Sequence, residues 1–339
     1  MRAAIWYGPR EMQMADAPKP EPAPGEVLLK VDAVGICGSE LSGYLGQNSL
    51  RKPPLIMGHE FSATITDAAD DVEGYAAGER VTVNPMIPCN HCVMCRNGYE
   101  NLCMNRSLIG AHRPGSFAEF VAVPAKTLYR LPEQVDPIAG TLVEPLACGL
   151  RAVELGQVSP ASSILIQGAG PIGLLVLLAA KKAGASVIAI SDLVDERLEV
   201  AKAWGATHPL NPSRDDVAKI GREITNGLGF DAVVDAVGLP VTRQGAVLAA
   251  RPGGHVVFTG LHEDETSLPC NTIVRSETNI HGAFCYTQQN FQAAVRLVSD
   301  GIVPTDTDWL TIRPLDQADA SFAQLIDQPS TVTKVVLTP

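Results

Sequence analysis

The chain has 339 residues, 46% hydrophobic and 19% charged, with Lys+Arg 26 against Asp+Glu 37 and a formal net charge of -11 at pH 7. A chain this long exceeds what one small core organises, so two domains are expected, and the composition excludes intrinsic disorder. The acidic balance repels phosphate backbones and anionic lipid surfaces, so neither nucleic acid nor a membrane is expected as a partner.

The longest aliphatic run, 172–180, falls far short of the roughly 20 residues needed to cross a bilayer. The first residues show no apolar segment followed by a small-residue cleavage site, so a cytoplasmic protein is expected. The sequence carries eight cysteines (Cys 8), and in a reducing compartment a tight cluster of them points to metal before disulfides.

In chain order, the first third reads as short strands punctuated by Gly and Pro, with a proline-rich extended connector at 18–24. Period-two patterns at 27–31 and 117–123 predict an antiparallel, barrel-like domain. From about Ser163, apolar strands at 164–167, 187–191, 232–235 and 255–259 alternate with helical patterns from Pro171 and across 196–204. That alternation predicts βαβ units and a parallel sheet covered on both faces. After Phe284 the pattern predicts helices over 288–299 and 317–326 and a closing strand at 334–337. This tail is too small to stand alone and is expected to fold back on the first domain.

Three groups of residues carry chemistry. Cys89, Cys92, Cys95 and Cys103 have the spacing C-x2-C-x2-C-x7-C, four soft thiolates able to close a tetrahedral shell on zinc. Such a shell has no open position for water, so its work is to hold a lobe folded. Redox thiols and a nucleic-acid zinc ribbon are the alternatives; the acidic charge and the lack of a paired knuckle argue against the ribbon. His91 is surplus to the four sulfurs and reads as a solvated loop residue.

The second group is dispersed: Gly35-Ile36-Cys37-Gly38-Ser39-Glu40, Gly58-His59-Glu60, and Glu144-Pro145-Leu146-Ala147. One Cys, one His and one or two carboxylates are the mixed ligands of a catalytic zinc, which keeps a position for water or substrate. Singly, the His-Glu pair also reads as a surface or packing feature and Cys37 as a small buried hydrophobe.

The third group is a strand running into Gly168-Ala169-Gly170-Pro171-Ile172-Gly173 and then a helix, a G-x-G-x-x-G fingerprint in its proper setting. Gly168 permits the tight turn, Gly170 lets backbone approach a pyrophosphate, Pro171 and Ile172 open the helix, and Gly173 lets it lie close on the strand. The pyrophosphate would sit at the helix N-terminus, where free N–H groups and the dipole favour an anion. Asp192 ends the next strand. It would bind the adenosine ribose hydroxyls and repel a 2'-phosphate, favouring NAD over NADP, or else cap the following helix. Arg197 would neutralise phosphate nearby or lie on a solvated helix face.

Together, in this order and at these intervals, the three groups resemble the zinc-dependent medium-chain alcohol dehydrogenases nearly end to end. Glu144 in Glu-Pro-Leu-Ala resembles the polyol and threonine dehydrogenase branch, and the resemblance is to its sorbitol and galactitol-phosphate dehydrogenases. The resemblance implies an α/β protein with a GroES-like, mainly β catalytic domain at 1–147 and 288–339 and a Rossmann doubly wound parallel sheet binding NAD at 148–287. It implies two zinc ions per chain, one catalytic and one structural.

Under that resemblance Cys37 and His59 are ligands of the catalytic zinc, Glu60 is a direct ligand or an outer carboxylate, and Glu144 completes the site directly or through water. Ser39 takes the alcohol proton, and Val237, Gly238, Thr259, Gly260 and Leu261 pass backbone close to the dinucleotide. The implied reaction oxidises a polyol or secondary alcohol to the ketone with hydride transfer to NAD, in a homodimer or homotetramer. L-threonine 3-dehydrogenase and a zinc-free quinone or enone reductase on the same fold are the alternatives.

The chain departs from the pattern at three places. Ser42 stands where many relatives have the histidine that ends the proton relay, Glu40 replaces an aspartate, and Phe284-Cys285-Tyr286 replaces the Phe-Arg-Tyr typical of sorbitol dehydrogenases. Losing that guanidinium removes a multidentate donor, so sorbitol itself is not assigned. Tyr44, Phe117, Phe284 and Tyr286 either line a pocket or pack.

Overall fold

The computed structural model describes residues 1–306, 308–329 and 332–339. Two compact units emerge: Met1–Glu144 with Thr287–Pro339, and Pro145–Tyr286. No helix among the described residues is long and apolar enough to cross a membrane.

The first unit is built on a seven-stranded sheet whose central member, Glu26–Gly35, pairs antiparallel with Glu60–Ala68, Phe120–Pro124 and Lys334–Thr338. The alternation at 27–31 is weaker than the sequence suggests. Val27, Leu28 and Leu29 are all buried because this strand is covered on both faces, whereas Phe120–Pro124 alternates as expected. The tail contributes Lys334–Thr338, which bridges Glu26–Gly35 to Leu310–Pro314. Register shifts between Leu28/Leu29 and Val31/Ala33 bend the central strand, as bulges do in closing barrels.

The core of this unit gathers Trp6, Tyr44, Phe61, Phe117 and Phe322. Tyr44 lies tilted against Phe322 and Phe117 meets it edge-on, with centroids 5.1 and 5.7 Å away, and the Tyr44 hydroxyl donates to Asp319 Oδ1 at 2.7 Å. Both aromatics are buried and pack in this core.

The second unit is a six-stranded parallel sheet with the spatial order His208–Leu210, Val187–Ser191, Ser163–Gln167, Phe230–Asp235, Ala250–Phe258, Asn279–Gly282. Every residue of Ser163–Gln167 is buried, which is why that stretch reads as a continuous apolar run. Strand order reverses between Ser163–Gln167 and Phe230–Asp235, the place where open sheets of this kind form a crevice at their carboxyl ends.

Several elements escape a periodicity reading. Ala250–Phe258 starts well before residue 255 although it contains Pro252, Gly253 and Gly254, residues that argue against a strand. An irregular register between Phe230 and Ala232 of the neighbouring strand accommodates them. The helix Pro240–Ala249 follows Gly238-Leu239, which looks like a turn, yet proline in a first helical turn removes only a donor that would be orphaned anyway. The seven-residue helix Gly38–Tyr44 is too glycine-rich to announce itself; Glu40 accepts from the Cys37 backbone N–H at 3.1 Å and so secures its start.

Candidate functional site

The sheet register of the first unit assembles the dispersed residues. Gly35 is opposite Glu60 on one side and Val336 on the other. Cys37, just past the end of one strand, is thereby brought to His59 and Glu60 at the start of another. The thiol of Cys37, a ring nitrogen of His59 and a carboxylate oxygen of Glu60 lie within 4.8 Å of one another. Sulfur, imidazole and carboxylate at this spacing suit a zinc ion with room for an exchangeable ligand. Glu144 is not part of that group, although its charge acts on Lys334.

Two buried carboxylates organise the surroundings. Glu40 is fully buried and its Oε1 meets His59 Nδ1 at 2.8 Å and accepts from the Gly58 N–H at 2.8 Å. With Nδ1 engaged, Nε2 is the nitrogen free to bind metal, the carboxylate–histidine arrangement that fixes tautomer and ring orientation in zinc sites. Burial pulls the Glu40 carboxyl upward, but His59 and the Arg51 guanidinium outweigh it and hold Glu40 below its usual range. Burial likewise disfavours a charged His59, yet Glu40 and Cys37 raise its pKa well above the ordinary imidazole value.

Glu60 is paired with Lys334, both buried, and the Lys334 ammonium also donates to the Ile36 carbonyl at 2.9 Å. Burial lowers the Lys334 pKa, but Glu60 and Cys37 together raise it above the free value. Gly35 makes room for this pair: a Cβ there would sit 2.5 Å from Glu60 Oε2 and 3.2 Å from Lys334 Nζ. Ser39 Oγ donates to Cys37 Sγ at 3.3 Å.

The four-cysteine lobe is equally concentrated. Sulfur pairs lie at 3.5 Å (Cys92–Cys95), 3.9 Å (Cys92–Cys103) and 4.0 Å (Cys89–Cys95). A tetrahedron with metal–sulfur bonds of about 2.3 Å has edges of about 3.8 Å, so these sulfurs fit one zinc ion. Backbone N–H groups of Cys89 and Cys92 donate to Cys103 Sγ and Cys89 Sγ at 3.3 and 3.4 Å. Hydrogen bonds from backbone at Cys95 and Met104 pull the Cys92 thiol down to about 6, while burial pushes Cys95 up to about 12. His91 is exposed, its ring on the Cys89 carbonyl at 2.7 Å, apart from the sulfurs. The helix Val93–Arg96 buries none of its residues, so little besides metal can hold the lobe. Cys95→Ser is therefore expected to release one equivalent of zinc and to speed amide exchange across 89–103 at least about tenfold. Unchanged metal content and exchange would show that apolar packing suffices.

In the second unit, Gly168 has φ +95 and its N–H donates to Ser191 O at 2.7 Å. A Cβ on Gly173 would lie 1.7 Å from Gly168 O, so only glycine fits between helix Pro171–Lys182 and the strand before it. At Gly170, the helix N-cap, a Cβ would meet nothing within 4 Å and φ is -74. Neither backbone nor neighbours demand glycine there, which fits a cradle for a group outside the chain.

Asp192 Oδ2 accepts from Ala169 N–H and Oδ1 from Val194 N–H, at 2.8 and 2.9 Å. It thus ties the glycine turn to the end of its strand and does not act as the helix cap, which is Val194. Arg197 stands 3.8 Å from Asp192 Oδ2. Buried Asp235 accepts from the N–H groups of Val237 and Gly238 at 3.0 Å, and its carbonyl receives Thr259 and Gly260. Leu261 beyond them is 81% exposed.

Family models match both parts of the chain: the alcohol dehydrogenase GroES-like domain at residues 23–133 and the zinc-binding dehydrogenase at 171–300. Sorbitol dehydrogenase of Bacillus subtilis is 32% identical over 100% of this chain and 97% of its own length. The chain belongs to the zinc-type medium-chain alcohol dehydrogenase family. L-threonine 3-dehydrogenase of Pyrococcus abyssi is 38% identical over 81% of this chain and 78% of its own. Among solved structures, galactitol-1-phosphate dehydrogenase of Escherichia coli superposes with a TM-score of 0.93 at 27% identity, covering 100% of both chains.

Within this zinc-dehydrogenase frame, sequence reasoning left Glu40 without a role and passed over Lys334 and Arg51. Glu40 carried a usable signal, its place three residues after Cys37. Lys334 carried only a faint one, a lone cation opening an otherwise apolar strand, since its partner is 274 residues away in the chain.

Proposed function

We propose that this chain is a zinc- and NAD-dependent dehydrogenase that oxidises a polyol or secondary alcohol to the ketone. The observation that carries the reading is the convergence of Cys37, His59 and Glu60, with Ser39 beside Cys37. Sorbitol dehydrogenase of Bacillus subtilis, similar over 97% of its length, supports the substrate class. In this reading residues 1–147 and 288–339 form the catalytic domain and 148–287 the cofactor domain.

Bound zinc supplies the Lewis acidity that lowers the pKa of an alcohol beside it, and bound NAD supplies the hydride acceptor. The chain's own groups do the rest. Cys37 and His59 hold the metal, with Glu60 as third donor or outer carboxylate and Glu144 near by. Glu40 orients the imidazole through Nδ1. Ser39 Oγ accepts the substrate's hydroxyl proton as it releases its own hydrogen to water, so the serine stays neutral. Gly168, Gly170 and Gly173, with Pro171 and Ile172, cradle the pyrophosphate; Arg197, Val237, Thr259, Gly260 and Leu261 flank the dinucleotide. Cys89, Cys92, Cys95 and Cys103 hold the structural zinc.

Purified protein with NAD and a panel of polyols, simple secondary alcohols and L-threonine tests the reading. Turnover is expected with polyols or secondary alcohols, and a clear threonine preference would replace it with the amino-acid reaction. Asp192 is assigned to the adenosine ribose. Asp192→Ala is expected to weaken NAD about tenfold or more, since it removes charge-assisted hydrogen bonds, and to relax rejection of NADP. An unchanged NAD/NADP preference in fluorescence titrations would reduce Asp192 to a brace for the glycine turn. We assign the protein to the cytoplasm as a homodimer or homotetramer, which light scattering of the purified protein checks.

A further inference from the structure

Arg51 is a buried guanidinium, 4% exposed, in the loop between the helix Gly38–Tyr44 and the strand Leu55–Ile56. It donates from Nη1 to the Ser39 carbonyl at 3.1 Å and from Nη2 to Ser39 Oγ at 3.3 Å. Neighbours are shaped around it: a Cβ on Gly43 would lie 2.6 Å from Arg51 Cδ. Yet the arrangement is a poor choice for stability alone, because Nε is buried with no hydrogen-bond partner among the described residues. Such an orphan costs about 1–3 kcal/mol, which an apolar side chain of similar size would not incur.

A hydroxyl has one hydrogen to give and two lone pairs to receive with. The Ser39 hydrogen is on Cys37 Sγ and one lone pair is occupied by Arg51. One lone pair remains, with its direction set by the other two bonds. We propose that Arg51 is the positioning residue of Ser39, fixing its hydroxyl so that the remaining lone pair is the one that meets the substrate's hydroxyl. This rests on the dehydrogenase reading above.

Ser42 stands where the family pattern has the histidine that ends the relay, and Arg51 does not supply that chemistry. A guanidinium has no acceptor and does not give up its proton. Arg51 therefore orients Ser39 without forming the next link of a proton chain: as Ser39 Oγ takes the substrate's proton it gives up the hydrogen it had directed at Cys37 Sγ, and that hydrogen passes to water and not to residue 51.

Arg51→Met, Arg51→Lys, Ser39→Ala and the double variant Arg51→Met/Ser39→Ala test this. Proton transfer by a placed side chain is worth about a hundredfold or more, so Arg51→Met is expected to lower kcat for alcohol oxidation about tenfold to a hundredfold. KM for alcohol, NAD affinity and zinc content should stay near wild type. Arg51→Lys keeps the charge but not the fork that reaches both Ser39 atoms, and should fall between. In the Ser39→Ala background Arg51→Met should cost less than about twofold, because the two residues act as one unit. A further tenfold loss there overturns the proposal, as does a loss of activity in step with loss of zinc or of fold.

A readout independent of turnover uses Co2+ in the mixed site. Arg51→Met should shift the Cys37 thiolate-to-cobalt charge-transfer band in the same direction as Ser39→Ala, because both disturb the Ser39 hydrogen bond to that sulfur. An unshifted band overturns the proposal. Wild-type protein inactive on the whole alcohol panel would overturn the proposed function, and the cobalt band would then judge Arg51 by itself.

Discussion

Cys37→Ser and His59→Ala are each expected to lower kcat/KM for alcohol oxidation about a thousandfold or more, while NAD binding stays within about twofold of wild type. A Lewis acid supplies several kcal/mol of transition-state stabilisation, at about 1.4 kcal/mol per tenfold in rate. Serine offers zinc a hard, protonated oxygen in place of a thiolate, and alanine offers nothing. The fold should survive. In His59→Ala, buried Glu40 keeps the N–H groups of Cys37 and Gly58 and the nearby charge of Arg51. The glycine turn and Asp192 belong to the other unit, where Asp192 is bonded to Ala169. Stopped-flow kinetics and NAD fluorescence titration check this. Variants with turnover within tenfold of wild type would remove the metal from the mechanism.

Lys334→Met is expected to destabilise the protein by about 3–5 kcal/mol, the cost of breaking a buried ion pair by removing one partner. Glu60 is 1% exposed and Lys334 2%. Without the ammonium, the Glu60 carboxylate and the Ile36 carbonyl both lose a donor that water cannot replace. Simultaneous Lys334→Met and Glu60→Gln should recover much of the loss, since replacing both charges is often near neutral where removing one is not. The pH dependence has a definite sign. The Lys334 pKa is raised in the folded state. Its contribution is therefore fully present below the free lysine value of about 10.4 and is lost only as pH rises through the higher folded value. Stability from this pair should be flat from about pH 6 to 9, which urea titrations at several pH values check. A single variant losing under about 1 kcal/mol would mean that the Glu60 site admits water.

The four-cysteine cluster and the glycine turn are legible in the sequence because their parts are local. Four cysteines inside residues 89–103 constrain one another through the chain itself, and the glycine turn carries its own geometric necessity at Gly168 and Gly173. Asp192 was readable as a strand-end carboxylate, but its bond to Ala169 depends on two parallel strands being neighbours. The aromatic residues were the least legible. Nothing in one dimension separates Tyr44 and Phe117, which pack on Phe322, from residues lining a pocket.

Short-range chemistry thus sufficed for the four-cysteine site and the cofactor motif, since thiolate spacing and glycine spacing act over a few bonds, whereas Cys37, His59 and Glu60 were linked only by their resemblance to a family pattern and are brought together by sheet register. What needed three dimensions was the outer layer. Glu40 on His59, Arg51 on Ser39 and Lys334 on Glu60 arise from a helix start, a loop and a final strand. Antiparallel pairing brings such segments together at a distance along the chain that no local pattern encodes. Only burial makes those charges costly enough to require partners.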